Sequence, residues 1–275
     1  MRYRKIFLFG DSWTEGQGIG TGEYKSDEPS IANEVSQYRK NNHPIAKSLI
    51  DWYDFEVENL AMQGNSNTNS LSILQRMIEK KEIIKDDIVI IGFTSLMRDY
   101  HCFMPPEFSQ HKMAWTITDM ITELEKERPA ENELDMLFNE YSKNYILNIF
   151  DEEYYKYVGF NMVYFLQHYF SVYGIKYYFW NTFETIIEND YKYSKFIDKT
   201  KYINFGTNYW DELKEEEDTL IKKNKVKSIL GGQKVLKYTF WEKNYLKPKN
   251  IVHPNYYGYE YVAKQILDFM KNNPQ

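Results

Sequence analysis

The stretch DDIVIIGF, residues 86–93, constrains the chain more than any other. From Ile88 to Phe93 it offers no polar side chain to either face, so the strand it forms must be covered on both sides. Three further runs read as strands: YRKIFLF (3–9), FEVENLA (55–61) and IKYYFWNTF (175–183). Helical stretches lie between them. HPIAKSLIDWY carries Pro44 at a first-turn position, and residues 67–83 space Leu71, Leu74, Met77 and Ile78 as a helix does. EEYYKYVGFNMVYFLQHYFSVYG closes on Gly174 as a C-cap, and an amphipathic helix runs from about Tyr257. Strands alternating with helices predict a parallel α/β sheet.

At 275 residues the chain is long enough for one large domain, and no internal repeat or flexible linker divides it. The stretch from about 107 to 150 is charged and helix-favouring, broken at Pro129, and reads as a helical insertion. Residues from about 184 to 250, rich in Lys, Glu and Tyr, read as a charged decoration without assigned elements. A formal net charge of −6 argues against a nucleic-acid partner. The single cysteine, Cys102, excludes an internal disulfide. The apolar run Ile6–Phe9 is too short for a signal peptide, and no stretch reaches membrane-spanning length. The 25 tyrosines would suit a sugar-stacking surface, with tyrosine-rich packing as the plainer cause.

Three short segments fall where strands end, which is where ligands bind in open α/β sheets. They are Gly10-Asp11-Ser12, NLAMQGNSNTN with Gly64, and NIVHPNYYG with His253. A serine is a weak nucleophile until a base takes its proton and donors meet the developing oxyanion. Ser12, His253 and the N–H groups of Ser12 and Gly64 can supply those parts. The competing readings are a turn serine that caps the next segment, a histidine placed at the start of a helix, and a glycine in a tight turn.

These blocks, FGDSWTEG, NLAMQGNSNTN and HPNYYGYEYVA, resemble in kind and order those of the SGNH or GDSL hydrolases, a family of esterases and lipases. The resemblance spans the chain. It implies a flavodoxin-like three-layer α/β/α sandwich with about five parallel strands, and a serine esterase without cofactor or metal. Ser12 would be the nucleophile and His253 the base, with Ser12 and Gly64 at the oxyanion. The substrate would be a small acyl ester, of which a carbohydrate O-acyl group is one candidate. Two positions depart from the pattern. Thr94 stands where the family has an Asn oxyanion donor, and losing one such donor costs about 10²–10³ in turnover. Asn250 stands where the family has the Asp that orients the histidine, and an Asn cannot stabilise imidazolium by charge. Asp99 and Glu184 are alternative partners for the ring, and a Ser12–His253 dyad is the working scheme.

The departures leave a second reading open, in which the fold serves as a catalytically weakened binding or structural module. The strand end FTSLMR and the compact chain are similar to phage-encoded members of the family, which implies a cytoplasmic or virion-associated protein. Arg98 is read as a surface ion pair or as an anchor for an anionic substrate group. His43, His101, His111 and His168 have no metal-ligand spacing. The run Gly16, Gly18, Gly20, Gly22 lacks the Lys-Ser/Thr of a phosphate loop and reads as a pliable loop beside Ser12. Phe103 and Trp115, near or within the insertion, are candidate walls of an acyl pocket.

Overall fold

The computed structural model describes residues 4–16, 37, 40–62, 65–96, 100–103, 114–116, 133–145, 148, 151–225, 229–241 and 245–274. In chain order the elements are β1 (Lys5–Phe9), α1 (Ser12–Glu15), α2 (Pro44–Tyr53), β2 (Glu56–Asn59), α3 (Asn67–Glu79) and β3 (Ile88–Phe93). There follow β4 (Tyr100–Phe103), β5 (Ala114–Thr116), α4 (Glu133–Asn144), α5 (Glu152–Tyr173) and β6 (Lys176–Asn181). The chain then forms α6 (Tyr209–Asn224), β7 (Leu230–Trp241), β8 (Tyr245–Pro254) and α7 (Tyr256–Asn272).

Strand periodicity builds two cores. Ile6, Leu8, Ile88, Ile90, Tyr178 and Trp180 face one layer, where α2, α6 and α7 bring Ile45, Leu49, Leu213, Val262 and Ile266. The alternate residues Phe7, Phe9, Val89, Ile91, Phe93, Tyr177 and Phe179 face the other, where α3 and α5 bring Leu74, Met77, Val163, Leu166 and Phe170. The result is a three-layer α/β/α sandwich. Each fully buried Ile, Leu or Phe contributes about 1.5–3 kcal/mol to holding it.

The main sheet has the order β2-β1-β3-β6, with every pairing parallel. The sequence leads to an expectation of about five strands. Among the described residues there are four, and in the fifth place Tyr202 makes a single parallel bridge to Phe179. From β1 the chain steps outward to β2, then back past β1 to β3. Right-handed crossovers place the helices of those two steps on opposite faces, as α2 and α3 are. The reversal opens a crevice at the carboxyl ends of β1 and β3.

Two expectations change. The insertion from about 107 to 150 is not wholly helical: its described part holds α4 and also β5, which pairs antiparallel with β4. Pro129 lies outside the described residues. The stretch 184–250 is far from featureless. It holds single 3₁₀ turns at Ser194–Phe196 and Lys199–Lys201, the helix α6 and the β7–β8 ribbon. Its charged run DELKEEED covers the outer face of α6, while Leu213 and Leu220 turn inward. Among the described residues no helix is long and apolar enough to cross a membrane.

Candidate active site

Gly10 ends β1 and sets the path of the chain into α1. Its φ is +153°, and a Cβ there would sit 2.3 Å from Thr14 Oγ1 and 2.9 Å from the Gly92 carbonyl oxygen. Only glycine passes so close to the end of β3. Asp11 then caps α1, its Oδ1 accepting from the Trp13 N–H at 3.0 Å. The turn closes on Gly16, in the left-handed region, whose N–H donates to the Ser12 carbonyl. Ser12 is thereby held at the first position of a one-turn helix over the crevice.

His253 comes from the other end of the chain. It is the penultimate residue of β8, just before α7, which Asn255 caps by accepting from the N–H groups of Tyr257 and Gly258. The Asn255 N–H donates to the Ile229 carbonyl at 2.8 Å, anchoring the junction. A Cβ on Gly258 would come within 2.7 Å of Pro254, so a glycine is needed for α7 to start this close. The outcome is a 2.8 Å hydrogen bond between His253 Nε2 and Ser12 Oγ. Both side chains are buried, each 2 % exposed. Beneath them the Trp13 ring lies 6.4 Å from the imidazole and packs on Phe183, Trp210 and Tyr259.

The other residues singled out in the sequence divide. The Ser12 N–H has no hydrogen-bond partner among the described residues. Thr94 lies at the same end of the sheet, but its hydroxyl donates to Asp11 Oδ2 at 2.9 Å. A hydroxyl has one proton, and in this arrangement Asp11 takes it. The reason is local: Asp11 has a second carboxylate oxygen beyond its cap, and Thr94 is the donor that meets it. Gly64, Arg98 and Asp99 lie outside the described residues. Asn250 pairs in β8 with Leu236 of β7, and its side chain is likewise outside. Phe103 and Trp115 belong to β4 and β5, with side chains outside too. Glu184 is half-buried and makes no hydrogen bond with His253.

Three asparagines that sequence reasoning left aside hold the crevice together. Asn67 grips the Thr94 backbone at both ends, accepting from its N–H and donating to its carbonyl, each at 2.9 Å. Asn65 donates to the Gly10 carbonyl at 3.2 Å and to Ser70 Oγ at 2.8 Å. Asn59 donates to the Thr14 carbonyl at 2.8 Å. Their signal was the density of Asn from the end of β2 onward, in NLAMQGNSNTN. His43 is a fourth support. Its Nδ1 accepts from the Ile45 N–H at the start of α2, so the ring proton sits on Nε2 and donates to the Trp13 carbonyl at 3.0 Å. Full burial pushes the His43 pKa down to about 4, against the raising effect of that carbonyl.

Polar atoms next to Ser12 are left unpaired among the described residues. Among the described residues Trp13 Nε1, Thr14 Oγ1, Glu15 Oε2 and Trp210 Nε1 are buried without a hydrogen-bond partner. Burial lowers the Lys40 pKa, while the nearby Glu15 acts to raise it. No group of three or more His, Cys, Asp or Glu among the described residues is arranged to hold a metal ion.

No family model matches the chain, and no curated protein matches it. Among the solved structures similar to it are two at the same low identity. One is a carbohydrate esterase, at 12% identity and a TM-score of 0.38, with all of this chain and 66% of that one covered. The chain thus spans just under two thirds of that protein's length. The other, from Parabacteroides merdae, was described as a GDSL-like lipase; it has 12% identity and a TM-score of 0.38, with 99% of this chain and 96% of that one covered. At this distance neither says what this chain acts on.

Proposed function

We propose that the chain is a serine hydrolase of carboxylic esters, with Ser12 as nucleophile and His253 as general base. The observation that carries this is the 2.8 Å bond between Ser12 Oγ and His253 Nε2, two buried side chains 241 residues apart at the crevice of the sheet. A serine that served only as a helix cap would need no imidazole. In the proposed reaction Oγ attacks the ester carbonyl carbon as its proton passes to Nε2. The carbonyl oxygen becomes the oxyanion and takes a hydrogen bond from the Ser12 N–H, with Gly64 as the proposed second donor. His253 then delivers the proton to the departing alkoxide, leaving an acyl-Ser12 ester. Water, deprotonated by the same nitrogen, releases the acid. Thr94 contributes through Asp11, which it steadies while Asp11 holds the turn that carries Ser12.

The test is labelling by a fluorophosphonate probe, which requires a nucleophilic serine but no knowledge of the natural ester. The full chain should be labelled and the Ser12→Ala variant should not. An unlabelled wild-type protein, or equal labelling of both, overturns the assignment.

A further inference from the structure

A carboxylate sits one turn from Ser12, and the proposed reaction does not use it. Glu15 closes α1 and is 2 % exposed. Its Oε2 is buried without a hydrogen-bond partner among the described residues. The Lys40 ammonium, itself half-buried, interacts with Glu15 by charge but does not hydrogen-bond that oxygen. A buried acceptor left in this way is costly, and a donor brought by a ligand would recover the loss.

The geometry of α1 decides which part of a ligand reaches it. Successive residues of a helix project about 100° apart. Trp13 turns into the core and stands against the imidazole, its ring centroid 6.4 Å from that of His253. Thr14 Oγ1 lies against Gly10 and Gly92. Glu15 therefore projects about 60° from Ser12, on the flank opposite Trp13. Cβ atoms three apart on a helix are about 5–6 Å from each other, so this carboxylate stands beside whatever is bonded to Ser12 Oγ. In the tetrahedral intermediate the carbon on Oγ bears an oxyanion, an alkoxy group and the acyl chain. The Ser12 N–H takes the oxyanion, and His253 faces the alkoxy oxygen to which it delivers its proton. The acyl chain is left for the Glu15 flank.

We infer that Glu15 sets the acyl specificity of the site by accepting a hydrogen bond from a hydroxyl group on the acyl chain of the ester. This rests on the reading of Ser12 as nucleophile. A carboxylate only accepts, so the acyl chain must bring a donor. An ammonium would also donate, but Lys40 already balances the charge of Glu15 and would repel it. A plain alkyl chain would bury Oε2 with no partner. The preferred substrates are therefore hydroxyacyl esters.

The test measures kcat and KM of the full chain on para-nitrophenyl glycolate and β-hydroxypropionate against their methyl isosteres, the propionate and the butyrate. The β-alaninate is the cationic arm. At least one hydroxyacyl ester should show a KM about tenfold below that of its isostere. Glu15→Leu should abolish this ratio, whereas Glu15→Gln, which keeps a carbonyl acceptor, should retain about threefold of it. A Glu15 that was merely structural would change all the esters alike. Fluorophosphonate labelling of the same samples separates this inference from the one it rests on. Labelled wild-type protein without hydroxyacyl preference overturns this inference alone, and unlabelled wild-type protein overturns it together with the Ser12 assignment. If neither variant folds, the wild-type ratios decide. Equal KM within both pairs, a preference for the β-alaninate only, or an undiminished ratio in folded Glu15→Leu overturns the inference.

Discussion

The carboxyl ends of β1 and β6 belong to one sheet, two strands apart, and they treat buried polar groups in opposite ways. At β6 every polar atom of Asn181 is used. Its N–H donates to Asn204 Oδ1, its Nδ2 to the carbonyls of Asn204 and Thr207, and its Oδ1 accepts from the Tyr202 hydroxyl at 2.6 Å. Its carbonyl accepts from Asn204 Nδ2, closing a reciprocal pair. At β1 four buried atoms on or against α1 have no hydrogen-bond partner among the described residues, and Ser12 Oγ bonds an imidazole 241 residues away. A network that is complete locks its strand end. One that leaves donors and acceptors unpaired gives up stability where the chemistry is proposed to happen.

Exchanging the two ends is the strongest way to break this contrast. Ser12→Ala should lower hydrolysis of a short-chain aryl ester by at least about 10⁴-fold. Its stability should stay within about 1 kcal/mol of wild type, since one hydroxyl is lost. Asn181→Ala should do the reverse. Breaking a buried network of this kind costs about 2–4 kcal/mol, or roughly 5–15 °C in melting temperature at this chain length, while the folded fraction keeps its kcat. Thermal melts and initial rates on both variants decide. A stability loss in Ser12→Ala equal to that in Asn181→Ala would erase the distinction.

His43 sharpens the comparison through pH. An unfolded histidine takes its proton near pH 6.5, whereas the buried one waits until about 4. Between those values the unfolded chain binds the extra proton, so stability falls as pH falls. The loss should reach about 3 kcal/mol and level off below pH 4. Carboxylates begin to titrate in the same window, so the measure is the difference from His43→Asn. Denaturant midpoints across that range should show a shallower slope in the variant, and parallel slopes would remove His43 as the cause.

The smallest effect concerns Thr94. If its hydroxyl acts by steadying Asp11, Thr94→Val should lower kcat about tenfold with KM little changed. A fall of about 10²–10³ would return the hydroxyl to the oxyanion.

The fold was legible where physics is repetitive. IVIIGF had to be a strand covered on both faces, and Pro44 and Gly174 marked a helix start and a helix end that α2 and α5 confirm. Ser12 and His253 could be singled out because each stands between a strand and a helix, and the fold joins them by a hydrogen bond. The Asn59, Asn65 and Asn67 supports were not, because an asparagine's partner depends on which backbone arrives opposite it. The partner of Thr94 was hidden for the same reason: its position at the strand end is set by local sequence, while its hydrogen bond is set by Asp11, 83 residues away. The β7–β8 ribbon escaped notice because KVLKYTFW and YLKPKNIV mix charge into short apolar runs.

The bond between Ser12 and His253 has a consequence in time. Ribosomes add about 5–20 residues per second, so the histidine is made roughly 10–50 s after the serine it meets. During that interval β1, α2, β2, α3 and β3 can all assemble, with Ser12 in place and chemically inert. Under the proposed mechanism a nascent chain therefore carries no hydrolytic activity until α7 has docked, however much of the sheet has formed. Turnover becomes a report on the completed chain, and a protease nick that frees His253 together with α7 should silence an otherwise folded sheet.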